Sequence, residues 1–156
     1  MPSFQPAIPK VNLNEVETPA LLLDMDIFEK NLITMENALA GSGVRLRAHT
    51  KAHKCSEIAK RQVAAGAVGV CCQKVSEAVT MAAAGIKNIL ITNQIVDPVK
   101  IQRLCSLGEK TEIAVLCDSK EAIPLLSKAA TANGLTLKIL IEVNVGANRC
   151  GVDAGD

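Results

Sequence analysis

The sequence predicts an α/β chain that builds part of a (β/α)8 TIM-type barrel, and three observations lead there. Strand-like starts fall near Val44, Ala67, Asn88, Glu112 and Leu137, and a helical stretch follows each before the next begins. A strand and a helix within about two dozen residues, repeated, is the rhythm of parallel strands joined by right-handed crossovers. Hydrophobic residues make up 49% of the chain, yet Phe4 and Phe28 are its only aromatics. The interior must therefore be built from Ala, Val, Ile and Leu, as in parallel sheets covered by helices. Neither GxGxxG nor a P-loop follows an early strand, which removes the phosphate loop usual in a doubly wound sheet and favours the barrel. A complete barrel takes roughly 250 residues, whereas these 156 residues hold five units. The expectation is an N-terminal arm over residues 1–17 and the first part of a barrel over residues 18–156, with an open edge where it breaks off.

The elements follow in order. The arm carries Pro2, Pro6 and Pro9 and no apolar secretory core. After the short apolar run Ala20–Asp24, Asp26 with Glu29 three residues on fits a capping box. Phe28, Leu32, Met35 and Leu39 then recur at helical spacing, and Gly41 stops the helix. A first strand is predicted from Val44 towards His53. Helices are predicted from Ser56 to Ala65, closed by Gly66, and from Ser76 to Ala84, closed by Gly85. Asp97-Pro98 supplies a cap and a first-turn proline for a helix through Ile101, Leu104 and Cys105, with Gly108 as its stop. Asp118 or Ser119 opens the last helix, which runs to Asn133-Gly134, and Pro124 must either kink that helix or move its start.

Composition narrows the function. A net charge of +1 argues against a general nucleic-acid or membrane-surface role. No apolar run reaches the roughly 18 residues that would span a bilayer, and the expected location is the cytoplasm. The cysteines Cys55, Cys71, Cys72, Cys105, Cys117 and Cys150 form no C-x-x-C pair and have no histidine at zinc-ligand spacing. They read as reduced packing thiols, so no metal site is predicted from them.

The segment Arg45-Leu46-Arg47-Ala48-His49-Thr50-Lys51-Ala52-His53-Lys54 carries the chemistry. With a two-residue period, Arg45, Arg47, His49, Lys51 and His53 fall on one strand face. Five potential cations repel one another, which a merely structural strand avoids. The same crowding disfavours a further positive charge and leaves a lysine able to attack a carbonyl. Lys51 is the candidate nucleophile. Polar residues also gather where the other apolar runs stop: Gln73-Lys74, Thr92-Asn93-Gln94, Asp118, and Glu142 through Gly151. In a barrel these strand ends form the active site.

The segment from Arg45 to Lys54 closely resembles the cofactor-lysine segment of the D-threonine aldolase and D-serine dehydratase family. Members of this family are pyridoxal-phosphate enzymes with an alanine-racemase type of barrel and a second, β-rich domain. Thr18-Pro19-Ala20-Leu21-Leu22-Leu23-Asp24 resembles the family's opening strand. Cys71-Cys72-Gln73-Lys74-Val75-Ser76-Glu77-Ala78 resembles its second-strand motif, and the run from Glu142 to Val152 its fifth-strand turn. Many relatives have proline where Ala48 stands, and some aldolases have glycine where Asn148 stands.

The resemblance implies that Lys51 joins the cofactor aldehyde as a Schiff base. It further implies that Arg149 contacts the cofactor's phenolic oxygen, that Gln73 lies by its ring, and that His49 or His53 assists a proton transfer. It implies a lyase that cleaves D-3-hydroxy amino acids to glycine and an aldehyde. The alternatives are a dehydratase of D-serine or D-3-hydroxyaspartate giving a 2-oxo acid and ammonia, and a non-catalytic cofactor-binding barrel or inactive fragment. It also implies a homodimer and a divalent metal (Mn, Mg or Zn) whose ligands, like most phosphate contacts and the β-rich domain, lie outside this chain.

Overall fold

Five parallel strands lie side by side in the order of the sequence, β1-β2-β3-β4-β5. In the computed structural model, which describes residues 11–153 and 155, the strands are β1 (Ala48–His49), β2 (Val70–Cys72), β3 (Asn88–Gln94), β4 (Glu112–Cys117) and β5 (Lys138–Ile141). Helices α2 (Ser56–Ala64), α3 (Val75–Ala83), α4 (Pro98–Gly108) and α5 (Ala122–Ala132) make the crossovers, and α1 (Met25–Leu39) precedes β1. A doubly wound sheet reverses its strand order at a switch point. Here each strand pairs with its sequence neighbour, as barrel strands do.

The core lies between the sheet and the helices. Val70 and Cys72 of β2, Ile89 and Ile91 of β3, and Ile113 and Val115 of β4 are buried and alternate with half-buried Cys71, Leu90, Thr92 and Ala114. The buried set meets Ala78 and Met81 of α3, Leu104 and Cys105 of α4, and Leu126 of α5. Each large aliphatic side chain buried here stabilises the fold by roughly 1.5–3 kcal/mol. All six cysteines are free, and burial pushes the thiols of Cys71, Cys72 and Cys105 up from their ordinary pKa.

Several local expectations change. Ala20–Asp24 forms no strand, because a strand needs a ladder partner and none among the described residues reaches it; Leu21 is fully exposed. Helix α1 is capped two residues earlier than predicted: Asp24 accepts the Ile27 N–H at 3.0 Å, and Asp26 falls in the first turn. Gly108 is the last residue of α4 rather than a stop beyond it, and sits against Leu135. Pro124 moves the start of α5. Ser119 Oγ accepts the Ala122 N–H at 3.2 Å, so proline occupies the first turn, where its missing N–H costs nothing. Residues 1–10 of the expected arm lie outside the described residues; beyond them Asn12 caps a short 3-10 turn at Leu13–Glu15.

The first strand departs most. Its ladder covers only Ala48 and His49, and Thr50 O accepts the Lys54 N–H at 2.7 Å to turn the chain at once. The five cations therefore do not share one face. Arg45 borders a cavity under α1, and Arg47 reaches Asn88 at the start of β3, donating to its Oδ1 at 2.5 Å. Only His49 and Lys51 remain together at the strand's carboxyl end.

Candidate active site at the carboxyl ends of the strands

Lys51 stands in the turn that follows β1, exposed, at the end of the sheet where barrel chemistry takes place. Its backbone N–H donates to Nδ1 of His49 at 3.2 Å. Nε2 of His49 contacts Oγ1 of Thr92 at 2.9 Å, and that hydroxyl also reaches the Cys72 carbonyl at 3.3 Å. If Thr92 donates to Cys72, it accepts from His49, which assigns the imidazole its Nε2–H tautomer. Burial first, and the Lys51 ammonium second, hold the pKa of His49 below the ordinary imidazole range. A neutral His49 with both nitrogens engaged orients the Lys51 turn.

His53 faces elsewhere. Its Nδ1 accepts the N–H of Cys55, the residue that precedes α2, at 3.0 Å. Nε2 is buried and has no hydrogen-bond partner among the described residues, and Gln62 of α2 lies beside the ring. Burial lowers its pKa and Gln62 partly offsets that. His53 thus packs against α2.

Gln73 directly follows β2, and its backbone N–H donates to Glu77 Oε2 at 2.9 Å. It borders a pocket of about 380 Å3 with Asn93, Gln94, Lys100 and Arg103, between the ends of β2 and β3. The larger cavity, about 570 Å3, lies behind the sheet among Phe28, Leu32, Met35 and Leu39 of α1. Its lining is mostly apolar, with Glu36 and Arg45 among it, and Lys51, His49, Gln73 and Arg149 do not line it, so we place the candidate site at the strand ends.

Arg149 sits exposed in the loop after β5. Asn144 shapes this loop: its Oδ1 accepts the N–H groups of Gly146 and Asn148, both at 3.1 Å, and its Nδ2 donates to Asn148 Oδ1 at 2.9 Å. Asn148 has φ of +52°, the left-handed region that glycine enters freely and asparagine next most readily. Asparagine therefore keeps the turn a glycine would make here. The chain returns through an Asn144 N–H to Val152 carbonyl bond of 2.8 Å and a Val152 N–H to Glu142 carbonyl bond of 3.0 Å.

Two groups at these ends had no role assigned from the sequence. Thr92 holds His49, and Gln94 donates its amide to Asp118 Oδ2 at 2.9 Å and to Glu142. Their positions at strand ends were visible; the cross-strand register that brings them together was not. Among the described residues, no carboxylate lies within ion-pair distance of Lys51 or Arg149, and no three His, Cys, Asp or Glu side chains cluster as metal ligands.

Five consecutive parallel strands with alternating helices and polar groups at the strands' carboxyl ends define the class as the first part of a β/α barrel. The chain belongs to the alanine racemase N-terminal domain family, whose profile matches residues 23–156. It is 46% identical over 147 residues to the D-threonine aldolase of Arthrobacter sp, covering 94% of this chain and 39% of that protein. It is 43% identical over 149 residues to the 3-hydroxy-D-aspartate aldolase of Paracoccus denitrificans, covering 94% of this chain and 38% of that protein. The crystal structure of D-threonine aldolase from Filomicrobium marinum superposes with a TM-score of 0.89 at 51% identity, over 92% of this chain and 39% of that one. The chain thus spans about 39% of the length of the aldolase it matches.

Proposed function

We propose that this chain supplies the cofactor-lysine half of a pyridoxal-phosphate-dependent lyase that cleaves D-3-hydroxy amino acids into glycine and an aldehyde. The observation that carries the reading is Lys51, an exposed amine without an acidic partner among the described residues, at the carboxyl end of β1 in a chain 46% identical to a D-threonine aldolase. The donor set suits the cofactor. An aldehyde needs an accessible amine, which Lys51 offers, and a phenolate needs a cation, which Arg149 offers. Gln73 borders the same end of the sheet and would lie by the ring.

When bound, pyridoxal phosphate supplies the electron sink for the pair released at Cα when the Cα–Cβ bond breaks. This chain's own groups bind and orient. Lys51 would hold the cofactor at its aldehyde carbon, and Arg149 would hold negative charge on its phenolic oxygen. His49 stays neutral and steadies the backbone of Lys51 through its Nδ1. Since both its nitrogens are engaged, we assign it positioning rather than proton transfer. His53 supports the α2 junction.

The test incubates the full-length gene product with D-threonine. Glycine and acetaldehyde in equal amounts are the expected products; a 2-oxo acid with ammonia would replace the aldolase reading by the dehydratase one. Cofactor absorbance that persists unchanged in Lys51→Ala would remove Lys51 from its role.

A further inference from the structure

We propose that Asp118 is a positioning residue for Arg149, anchoring the arginine's loop to the ends of β3 and β4. The inference rests on the reading of Arg149 given above. Asp118 directly follows β4, and its Oδ2 accepts the Gly151 N–H at 3.1 Å and the Gln94 amide at 2.9 Å.

The other hydrogen bonds of the loop close it upon itself. Asn144 binds Gly146, Asn148 and Val152, and Val152 binds Glu142. These bonds set the loop's shape and tie its return to Glu142 at the end of β5, whose own N–H donates to the Cys117 carbonyl at 3.0 Å. Among the described residues, the Gly151–Asp118 bond alone joins residues 143–153 to a neighbouring strand's end. A carboxylate acceptor makes it one of the stronger kind.

Two further observations favour this assignment. Asp118 stands where a cap for α5 was expected, yet Ser119 supplies the hydroxyl that accepts the Ala122 N–H, which leaves the Asp118 carboxylate for the loop. Gly151 also fits closely: with φ of +100°, a Cβ there would meet the Asn144 nitrogen at 2.6 Å. Arg149 is two residues away, at most about 7 Å along the chain, so a shift at Gly151 moves the guanidinium.

The test uses the full-length gene product with Asp118→Ala, Asp118→Asn, Asp118→Glu and Arg149→Ala. Binding of pyridoxal phosphate and the pH titration of its visible absorbance band are measured by spectrophotometry, with circular dichroism to check the fold. Arg149→Ala shifts the titration, and Asp118→Ala shifts it the same way, by about one unit, with roughly tenfold weaker cofactor binding. Asp118→Asn keeps an acceptor for the Gly151 N–H and restores the wild-type titration. Asp118→Glu keeps the charge but moves the acceptor, and shifts the band less than alanine does; it carries the test if the alanine variant does not fold. A wild-type titration in both Asp118→Ala and Asp118→Glu, or in Asp118→Glu alone where alanine does not fold, overturns the inference and spares the Arg149 reading. An unchanged titration in Arg149→Ala overturns both.

Discussion

The two ends of the sheet treat charge in opposite ways. At the amino ends of the strands, Arg47 donates to Asn88, Asn88 donates to Glu112 at 2.7 Å, and Glu112 pairs with Lys138. One polar ladder crosses β3, β4 and β5 and ties in the segment before β1. The Lys138 ammonium holds Glu112 below the ordinary carboxylate pKa. At the carboxyl ends, Lys51 and Arg149 have no carboxylate within ion-pair distance among the described residues, and the carboxylates of Asp118 and Glu142 are taken up by neutral donors. Barrel enzymes keep stability at one end and chemistry at the other. A cation already satisfied by a carboxylate is poorly placed to meet a ligand; at the carboxyl ends Lys54 pairs with Glu77 at 3.7 Å, whereas Lys51 and Arg149 have no such partner among the described residues.

Substitutions at the two ends should therefore differ in kind. The largest effect is expected from Lys51→Ala in the full-length gene product. Aldehyde release falls on the order of 10^3-fold or more, while the urea midpoint stays unchanged because the side chain is exposed and unpaired. A midpoint that drops with activity would mean that Lys51 supports the fold, and the contrast between the ends would collapse.

Next is Gly69, immediately before β2. A Cβ at this position would lie 2.2 Å from the Asn88 carbonyl oxygen and 2.8 Å from the Arg47 guanidinium. Gly69→Ala must push backbone aside and break into the ladder, with a loss of about 1–3 kcal/mol, read by urea unfolding. Asn88→Ala follows, at about 1–2 kcal/mol, since it leaves the half-buried Arg47 without its Oδ1 partner. Neither change touches a group at the carboxyl ends, so kcat of the folded enzyme should hold. Equal loss of kcat in Asn88→Ala would show that the ends are coupled.

The order and type of these elements were legible because each signal is local: short aliphatic runs for β3 and β4, Asp97-Pro98 for α4, and the glycines beyond α2 and α3. The run from Arg45 to Lys54 was read partly wrongly for a physical reason. A two-residue period holds only while a ladder continues, and this one ends after His49. The repulsion that pointed to a cation cluster is instead relieved by sending Arg45 and Arg47 elsewhere. Lys51 was singled out first by the crowding of cations around it and then by the family motif that surrounds it. The partners of His49 and Asp118 depend on how far neighbouring strands are staggered, and on the shift of register near Gln94. No single segment encodes that.

The smallest effect separates the ends by pH. His49 and His53 both have pKa values lowered chiefly by burial, so on acidification the unfolded chain takes up protons before the folded one does. Stability present at neutral pH is lost as pH falls from the ordinary imidazole value towards the lower folded values, and levels off below them. Glu112 behaves differently. Its lowered pKa contributes stability above the ordinary carboxylate value, and that contribution is lost only as pH falls through the folded value. Urea midpoints measured between about pH 7.5 and pH 5.5 should decline gently. A variant carrying His49→Gln and His53→Gln should flatten that decline, while Glu112→Gln should leave it intact and alter only the more acidic part of the curve. A decline that survives the double histidine change would place the titrating groups outside both ends.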